Sequence, residues 1–317
     1  MLNDKSILVT GGTGSFGRHF ISTILKNYSP KRVIIFSRDE WKQHEMQSGK
    51  FKHSCLRFFI GNVRDRDRLY RAFDGVDIVI HAAALKQVPT AEYNPFEAIK
   101  TNILGAKNVI DAAIDQDVKS VIALSSDKAC NPINLYGATK LCADKLFIAA
   151  NSYARKHSAK FSVVRYGNVV GSRGSVIPFF QKKAKSKALP ITDTRMTRFW
   201  ITLDQAVELV LFGLTVMTGG EVFVPKIPSM KIVDLAKAIC PDCYTTTIGI
   251  RPGEKLHEVL VPVDEAQYTR ELDNCYIIYP PQKEKLLGKP CPDRFQYSSD
   301  TNTEWLTTAD LRDILSG

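Results

Sequence analysis

The N-terminal segment joins a short apolar run to a glycine-rich loop, and this junction restricts the possible folds most strongly. Ile7–Thr10 has the character of a β-strand, and GGTGSFG follows it at residues 11–17. The loop fits GxGxxG from Gly12 or GxxGxxG from Gly11. Glycines let the backbone approach a pyrophosphate, and the N-terminus of the next helix offers free N–H groups. The junction therefore predicts a dinucleotide-binding βα unit, the alternative being a glycine-rich turn without a ligand.

The first half of the chain alternates short apolar runs with helical patterns, such as those over Phe16–Lys26 and Pro95–Asp115. This rhythm is typical of a parallel sheet with crossover helices. The predicted strands are Ile7–Thr10, Val33–Phe36, Leu56–Ile60, Ile78–His81, Val121–Ser125 and Phe161–Tyr166. We therefore expect an α/β fold with a Rossmann-type, doubly wound parallel sheet.

After Gly167 the segments become shorter and prolines more frequent, which predicts a smaller, mixed α/β substrate domain. Leu203–Leu214 is strongly helical and is expected to pack back on the first sheet. We therefore predict a dinucleotide-binding domain at residues 1–167, to which residues 197–225 return. Residues 168–196 and 226–317 would form the substrate domain.

Length and composition exclude several classes of protein. With 317 residues, 44% of them hydrophobic, the chain can bury a sizeable core. No apolar run reaches the roughly 18–20 residues of a membrane helix. The N-terminus has neither the basic start nor the apolar stretch of a signal peptide. We expect a cytoplasmic protein with no membrane segment.

The formal net charge of +10 suits either nucleic acid or an anionic small molecule. Four lysines at positions 182, 183, 185 and 187 have the spacing of a solvated helix face, and no aromatic platform accompanies them. We therefore expect no nucleic-acid partner and interpret the charge as suited to an anionic substrate.

Seven cysteines are spread along the chain, which argues against a disulfide scaffold. Cys240 and Cys243 have CxxC spacing, but no second CxxC or HxxxH pattern completes the four ligands of a typical zinc site. Ordinary structural cysteines are therefore favoured over a zinc site completed by Cys275, Cys291 or His257, and no metal is expected.

The second strand is followed by residues that distinguish two cofactors. An acidic residue there would accept the ribose 2′-hydroxyl of NAD, whereas Ser37 and Arg38 suit the 2′-phosphate of NADP. Asp39 comes only after them, so NADP is favoured over NAD. Asn62, after the third strand, is placed to meet the adenine. The small residues 82–84, after the fourth strand, let the cofactor lie close to the backbone.

The fifth strand ends in SSDK at residues 125–128, and Tyr136 and Lys140 follow. Four residues apart, Tyr136 and Lys140 share one face of a helix. An ammonium beside a phenol favours the phenolate, so Tyr136 can act as a base towards a sugar hydroxyl while Lys140 holds the nicotinamide ribose. A surface pair on a helix is the alternative, but the position after a dinucleotide loop favours catalysis.

Several motifs occur in order over about residues 5–280. They are TGGTGSFG, HAAALKQVP, SSDKA, NPINLYGATK, RYGNVVGSRGSVIPFF and RPGEKLHE. Together they resemble the extended short-chain dehydrogenases that modify nucleotide sugars, in particular the inverting UDP-N-acetylglucosamine 4,6-dehydratases of the pseudaminic acid pathway. One departure is Asn62, where such enzymes usually have aspartate. An amide can still accept an adenine hydrogen bond.

The resemblance implies an NADP-dependent hydro-lyase that dehydrates UDP-N-acetylglucosamine at C4 and C6 with inversion at C5. In this reaction Tyr136 takes the C4 hydroxyl proton, Asp127 serves the C6 hydroxyl and Lys128 serves C5. Retaining hexose dehydratases have Asp-Glu where this chain has Asp-Lys, so Lys128 is the informative residue. The alternative is that Asp127 and Lys128 only form a solvated loop.

The resemblance also implies the binding residues. Cofactor contacts are expected from Gly11, Thr13, Gly14, Ser15, Phe16, Gly17, Ser37, Arg38, Asn62, Val63, Ala82, Ala83, Ala84, Lys86, Asn102, Ser125, Tyr136 and Lys140. Substrate contacts are expected from Lys86, Tyr136, Asn168, Arg173, Val176, Thr192, Arg251 and Glu254. Arg173 and Arg251 are the candidate donors to the diphosphate, with surface salt bridges as their alternative role.

We expect a homo-oligomer, either a dimer or a hexamer. Two other functions stay open. A nucleotide-sugar 4-epimerase would share the fold, Tyr136 and Lys140, but would need no acid–base pair at positions 127 and 128. A non-catalytic NADP-sensing protein would need none of these four residues together.

Overall fold

Short buried strands alternate with helices through the first half of the chain. The computed structural model describes residues 1–154, 159–281, 283–284 and 286–316. The first strands are β1 (Ser6–Thr10), β2 (Arg32–Ser37), β3 (Leu56–Ile60), β4 (Ile78–His81), β5 (Ser120–Ser126) and β6 (Lys160–Tyr166). They pair in parallel in the order β3-β2-β1-β4-β5-β6. The predicted Rossmann-type α/β sheet is confirmed, and each strand lies within one residue of its predicted bounds.

Helices connect these strands. They are α1 (Ser15–Asn27), α2 (Glu40–Ser48), α3 (Arg66–Phe73), α4 (Val88–Tyr93), α5 (Pro95–Ile99), α6 (Gly105–Asp115) and α7 (Leu135–Tyr153). The single helix predicted over Pro95–Asp115 is instead divided, because a π-helix at Lys100–Leu104 separates α5 from α6. Such a segment changes the register of the side chains that follow it.

The rest of the chain forms shorter elements. They are β7 (Asn168–Val169), α8 (Val176–Lys183), β8 (Ala188–Ile191), β9 (Thr197–Ile201), α9 (Leu203–Val216), β10 (Val222–Pro225), β11 (Ser229–Lys231), α10 (Ile232–Ile239), β12 (Tyr244–Thr247), β13 (Val259–Val261), β14 (Thr269–Glu271), β15 (Cys275–Ile278), β16 (Lys289–Pro290), β17 (Tyr297–Ser298) and α11 (Thr308–Ser316). Small sheets β11-β9-β7, β12-β8 and β13-β17 lie here. Phe180, Trp200 and Leu235 belong to a second buried apolar cluster, separate from the main core.

The main sheet is larger than the sequence indicates. Strand β10 pairs in parallel with β6, and then β15, β14 and β16 continue the sheet in antiparallel fashion to ten strands. Strands β14, β15 and β16 therefore extend the first sheet, although we placed residues 226–317 in the substrate domain. As expected, α9 packs on this sheet, where Gly213 lies against Ile122 and Phe223.

Cys240 and Cys243, treated above as ordinary cysteines or zinc ligands, form a disulfide just after α10. Their thiols are therefore not available to a metal, and no cluster of metal-binding side chains occurs in the part of the chain that the structure describes. Among these same residues, no helix combines the length and apolar character that a membrane crossing requires.

A buried arginine joins β6 to its neighbours. Arg165 is 2% exposed, and its guanidinium lies 3.8 Å from the carboxylate of Asp144 on α7 and 2.6 Å from that of Glu265. Asp144 also accepts a 2.7 Å hydrogen bond from Ser125 at the end of β5. A charge removed from water needs such partners, so Arg165 holds together the layer beneath the end of β5.

Replacing Arg165 should destabilise the whole domain. Arg165→Leu leaves two carboxylates without their cation, and breaking a buried pair costs about 3–5 kcal/mol. Urea unfolding of the nucleotide-free protein measures this loss. Arg195→Ala, which removes an exposed pair with Asp193, should change the free energy of unfolding little. A variant at Arg165 that is as stable as this control would contradict the interpretation.

Candidate functional site

The glycine loop is shaped by two close approaches. Gly11 has φ +67°, and a Cβ there would lie 2.9 Å from the backbone nitrogen of Ala83. A Cβ at Gly17 would lie 2.6 Å from the Cα of Gly12, so α1 packs directly on the loop. Gly14 stands immediately before α1, whose first N–H groups lack partners within the helix. The loop forms a cradle that fits a diphosphate.

One cavity of about 920 Å³ runs from this loop along the carboxyl ends of the parallel strands to the second part of the chain. That volume lies within the range of ligand-binding sites. Nearly all residues that we expected in the site line it. They are Gly11, Thr13, Gly14, Ser15, Phe16, Gly17, Ser37, Arg38, Asn62, Val63, Ala82, Ala83, Ala84, Lys86, Ser125, Lys128, Tyr136, Lys140, Asn168, Arg173, Val176, Thr192, Arg251 and Glu254. Asn102 and Asp127 are not among them.

Asn102 is directed away from the cavity and is 2% exposed. Its amide exchanges hydrogen bonds of 2.8 and 2.9 Å with the backbone of Leu85 and donates another, of 2.9 Å, to Thr139. With its polar atoms bonded in this way, Asn102 braces the loop after β4. The expectation that it contacts the cofactor does not fit this position.

Two residues after β2 distinguish NAD from NADP, and they lie in different surroundings. Asp39 accepts the backbone N–H of Lys42 at 3.0 Å and caps α2, and the bonds from Lys42 lower the pKa of Asp39. Its carboxylate is therefore engaged in the helix cap. Arg38 is exposed and lines the cavity, and no hydrogen bond engages its guanidinium within the described residues. Ser37 lies beside it and accepts a 3.1 Å bond from Gln43.

Tyr136 lies in the first turn of α7, which Asn134 caps by accepting the N–H of Gly137 at 2.7 Å. Burial raises the pKa of Tyr136 to about 12, while the charge of Lys128 and a hydrogen bond with Ser126 act to lower it. Lys140 instead donates to the carbonyl of Leu124 at 2.6 Å. The cation that acts on Tyr136 is therefore Lys128, whereas we expected Lys140.

The two serines at the end of β5 face different partners. Ser125 donates to buried Asp144, so its hydroxyl serves the layer under the sheet. Ser126 donates to Asp127 at 2.8 Å and is also hydrogen-bonded to Tyr136. Ser125 was expected to be the binding residue, but Ser126 is the serine that lies at the chemical centre of the site.

Asp127 and Lys128 form an ion pair in the turn that follows β5. The Nζ of Lys128 lies 2.9 Å from Asp127 Oδ1 and 3.2 Å from the amide oxygen of Asn168. Asp127 is fully buried behind Lys128 and Ser126, both of which line the cavity.

A lysine that serves as the C5 base must be a neutral amine when it acts, and the surroundings of Lys128 favour the charged form. Burial alone would lower the pKa of Lys128, but the carboxylates of Asp127 and Glu258 outweigh burial and raise it. A base needs a depressed lysine pKa, and the structure shows a well-stabilised ammonium instead. The alternative of a solvated loop is also wrong for this turn, because Asp127 is inaccessible to solvent.

The opposite wall carries the candidate substrate residues. Arg251 forms an ion pair with Glu254, and Asn134 donates to the carbonyl of Gly253 at 2.8 Å, which ties this loop to the start of α7. Arg173 is exposed near the glycine loop. Lys86 lines the same cavity, and desolvation and the charge of Lys128 lower its pKa. The cavity lining thus contains several cationic side chains that suit an anionic substrate.

Comparison with known proteins identifies the family. The family model described as "Polysaccharide biosynthesis protein" matches residues 7–280. This chain belongs to that family. Among its relatives, a Campylobacter jejuni protein named UDP-N-acetylglucosamine 4,6-dehydratase (inverting) is 55% identical over 332 residues, covering 100% of this chain and 98% of the relative. The resemblance inferred from the motifs is confirmed.

Two further proteins are similar to this chain. A Rickettsia bellii protein named UDP-glucose 4-epimerase is 46% identical over 286 residues, covering 88% of this chain and 84% of its own. The X-ray structure of Pen from Bacillus thuringiensis superposes with a TM-score of 0.92 at 39% identity, over 99% of both chains. The whole architecture, including the second part of the chain, is thus shared with a solved structure.

Three charged residues of the site were missed by sequence reasoning. Glu258 is 2% exposed, lines the cavity and lies 3.3 Å from Lys128. Arg198 and Lys255 surround its carboxylate at 3.6 and 3.9 Å. The signal for two of them was present, because Lys255 and Glu258 lie within RPGEKLHE. Their proximity to SSDKA depends on the fold and cannot be derived from spacing.

Proposed function

We propose that this chain is an inverting UDP-N-acetylglucosamine 4,6-dehydratase that releases a UDP-4-keto-6-deoxy-L-hexosamine for surface glycan or flagellin glycosylation of the pseudaminic acid type. One observation carries the proposal: Lys128 and Tyr136 face the same cavity as the dinucleotide loop, with Asp127 bonded behind them. The named relative at 55% identity supports the same reaction.

Bound NADP would take a hydride from C4 of the sugar and return it at C6, so the reaction has no net redox change. The residues of this chain move the protons. Tyr136 accepts the proton of the C4 hydroxyl, assisted by the charge of Lys128 and by Ser126. The resulting ketone acidifies the C5 hydrogen, which faces a base on the cavity wall.

The Asp127–Lys128 pair supplies that base and the matching acid. Transfer of one proton from Lys128 Nζ to Asp127 Oδ1, over 2.9 Å, gives a neutral amine and a neutral acid. The amine removes the C5 proton, and the acid supplies the proton with which the C6 hydroxyl leaves as water. Because Asp127 is buried, its proton reaches the cavity along Ser126 or Lys128. C5 regains a proton on the opposite face of the sugar ring. The proton that Tyr136 took from the C4 hydroxyl balances this gain.

NADP is the proposed form of the cofactor. Asp39 is engaged in capping α2, so its carboxylate is directed to Lys42. Arg38 presents an exposed guanidinium to the cavity beside Ser37. A guanidinium recognises a phosphate through charge-assisted hydrogen bonds. Arg173, Arg251 and Lys86 would then serve the substrate's diphosphate, with Glu254 directed to the ribose.

Arg38→Ala should weaken the binding of NADP far more than that of NAD. Losing one charge-assisted phosphate contact costs about 1.5–3 kcal/mol of binding free energy. NAD lacks the 2′-phosphate and therefore makes no such contact. Calorimetric titration of both dinucleotides measures the difference. Arg71→Ala, a change of the same type at an exposed position of α3 outside the cavity lining, is the control. Equal losses for NADP and NAD in Arg38→Ala would contradict the assignment.

Label transfer distinguishes the dehydratase from other dehydrogenase chemistry. UDP-N-acetylglucosamine deuterated at C4 should give a product deuterated at C6 without added reductant, because the same hydride leaves and returns. Turnover in D₂O should place one deuterium at C5. NMR of the product reads both positions. Deuterium found in free NADPH would indicate a simple dehydrogenase and overturn the proposal.

A 4-epimerase is the second candidate, favoured by the 46% identity to the Rickettsia bellii protein of that name. An epimerase would return the hydride to C4 and leave the C6 hydroxyl in place. The same NMR experiment would then show a UDP-hexosamine that keeps its label at C4.

Lys128 and Tyr136 should fail at different steps. Lys128→Ala retains Tyr136, so the absorbance of reduced nicotinamide should still appear, although more slowly because Tyr136 loses the charge that assists it. Dehydration should fall roughly 10²–10⁴-fold for want of a general base. Tyr136→Phe removes the first base, and no such absorbance should appear. Near-normal dehydration by Lys128→Ala would remove the residue from the mechanism.

We also propose that the enzyme is a cytoplasmic homo-oligomer. Tyr93 and Phe96, on neighbouring helices α4 and α5, are 85% and 74% exposed. Large exposed aromatic side chains are enriched at subunit interfaces. The exposed free thiol of Cys142 suits a reducing compartment.

A further inference from the structure

Glu258 reaches Lys128 from a distant part of the sequence. Its Oε1 lies 3.3 Å from the Nζ of Lys128, which Asp127 and Asn168 also approach, at 2.9 and 3.2 Å. An ammonium has three donors, and three acceptors from three separate segments surround this one. Lys128 is therefore held in place as well as charged.

The carboxylate of Glu258 is not needed to hold its own backbone. Ser299 already fixes that backbone, since its N–H donates to the Glu258 carbonyl at 2.8 Å and its hydroxyl accepts the Glu258 N–H at 2.9 Å. The side chain is free for another task, and it lies among three cations, Lys128, Arg198 and Lys255.

The other cations around Glu258 have partners of their own. Arg198 donates to the carbonyls of Thr197, Lys255 and Leu256, and Lys255 donates to that of Cys130. The Oε2 atom of Glu258 is buried with no hydrogen-bond partner among the described residues. The carboxylate is thus held close to Lys128 by charge, with one buried oxygen left without a hydrogen bond, and such an exception is typical of a functional arrangement.

We propose that Glu258 is a positioning residue for the dehydration, which fixes the Nζ of Lys128 at the cavity wall and retains its proton there until the sugar binds. The inference rests on the proposed role of Lys128 as the C5 base. Because Glu258 Oε2 is inaccessible to solvent and Oε1 lies against the Nζ of Lys128, the carboxylate acts through Lys128. The charged and titratable groups that face Lys128 are Asp127, Glu258, Arg198, Tyr136 and Lys86.

Competitive acetylation of the purified full-length protein tests this directly. Only the neutral amine reacts, so peptide mass spectrometry reports how strongly each lysine holds its proton. Removing an opposite charge at this distance should lower the pKa of Lys128. Glu258→Gln should therefore raise the acetylation rate of Lys128 roughly tenfold or more at a fixed pH. Lys107, which pairs with Asp111 on the surface, is the internal reference.

Two variants separate charge from packing. Glu258→Asp keeps the charge and should leave Lys128 close to its original rate. Glu271→Gln, which removes the carboxylate paired with Lys226 away from the cavity, should also leave Lys128 unchanged. An equal rise in Glu258→Gln and Glu258→Asp would indicate loosened packing and overturn the proposal, as would an unchanged rate in Glu258→Gln.

The unmodified protein provides a test that needs no folded variant. The side chains of Lys128 and Lys226 are exposed to similar extents, 25% and 23%, but Lys226 pairs with one carboxylate and Lys128 with two. Lys128 should therefore be acetylated more slowly. Equal acetylation rates for Lys128 and Lys226 would contradict the proposal that Glu258, as a second carboxylate, helps Lys128 to retain its proton.

Kinetics then connects the charge to the reaction. In Glu258→Gln the acid limb of the kcat profile should move to lower pH, since the amine becomes neutral more readily. KM for UDP-N-acetylglucosamine should stay within about twofold, because the carboxylate is buried against Lys128. A merely structural residue would lower kcat equally at every pH. If Lys128→Ala still dehydrates while Glu258→Gln changes the reactivity of Lys128, the role of Lys128 fails and the Glu258–Lys128 interaction stands.

Discussion

Parallel strands deliver all their following loops to one edge of the sheet, and the site depends on this constraint. The glycine loop after β1, Arg38 after β2 and the SSDK turn at the end of β5 are far apart in sequence but line one cavity. Only a sheet buried on both faces holds these ends at fixed separations. Arg165, buried beneath the end of β5, contributes to that rigidity through Asp144 and Glu265.

The chemical centre combines local and distant chain segments. Asp127 and Lys128 are neighbours in sequence, and their ion pair follows from the turn itself. The rest of their environment comes from Asn168 and Glu258, more than a hundred residues away in the latter case. Two carboxylates around one lysine make the ammonium the resting state. The base must therefore be generated during turnover, and the adjacent Asp127 is the acceptor that lies closest.

Sequence reasoning succeeded where the signal was local. Strand bounds follow from apolar runs, and the cradle at Gly11 follows from glycines placed between a strand and a helix. It failed where long-range pairing decides the outcome. The extension of the main sheet by β14–β16 depends on antiparallel contacts to β10. Asn102 is hydrogen-bonded to the backbone of Leu85 and does not line the cavity, and no composition signal marks the π-helix in which it lies.

The motif RPGEKLHE, which ends at Glu258, contributes to two parts of the site. RPGEKLHE begins with Arg251, a candidate for the substrate's diphosphate, and ends with the carboxylate that holds Lys128. Lys255, between them, donates to the carbonyl of Cys130 in the segment that follows the catalytic turn. One short stretch of chain therefore joins the binding wall to the catalytic wall. A shift of this stretch when the diphosphate binds would alter the distance between Glu258 and Lys128. Because a lysine's affinity for its proton depends on the distance to a carboxylate, a longer distance would favour the neutral amine.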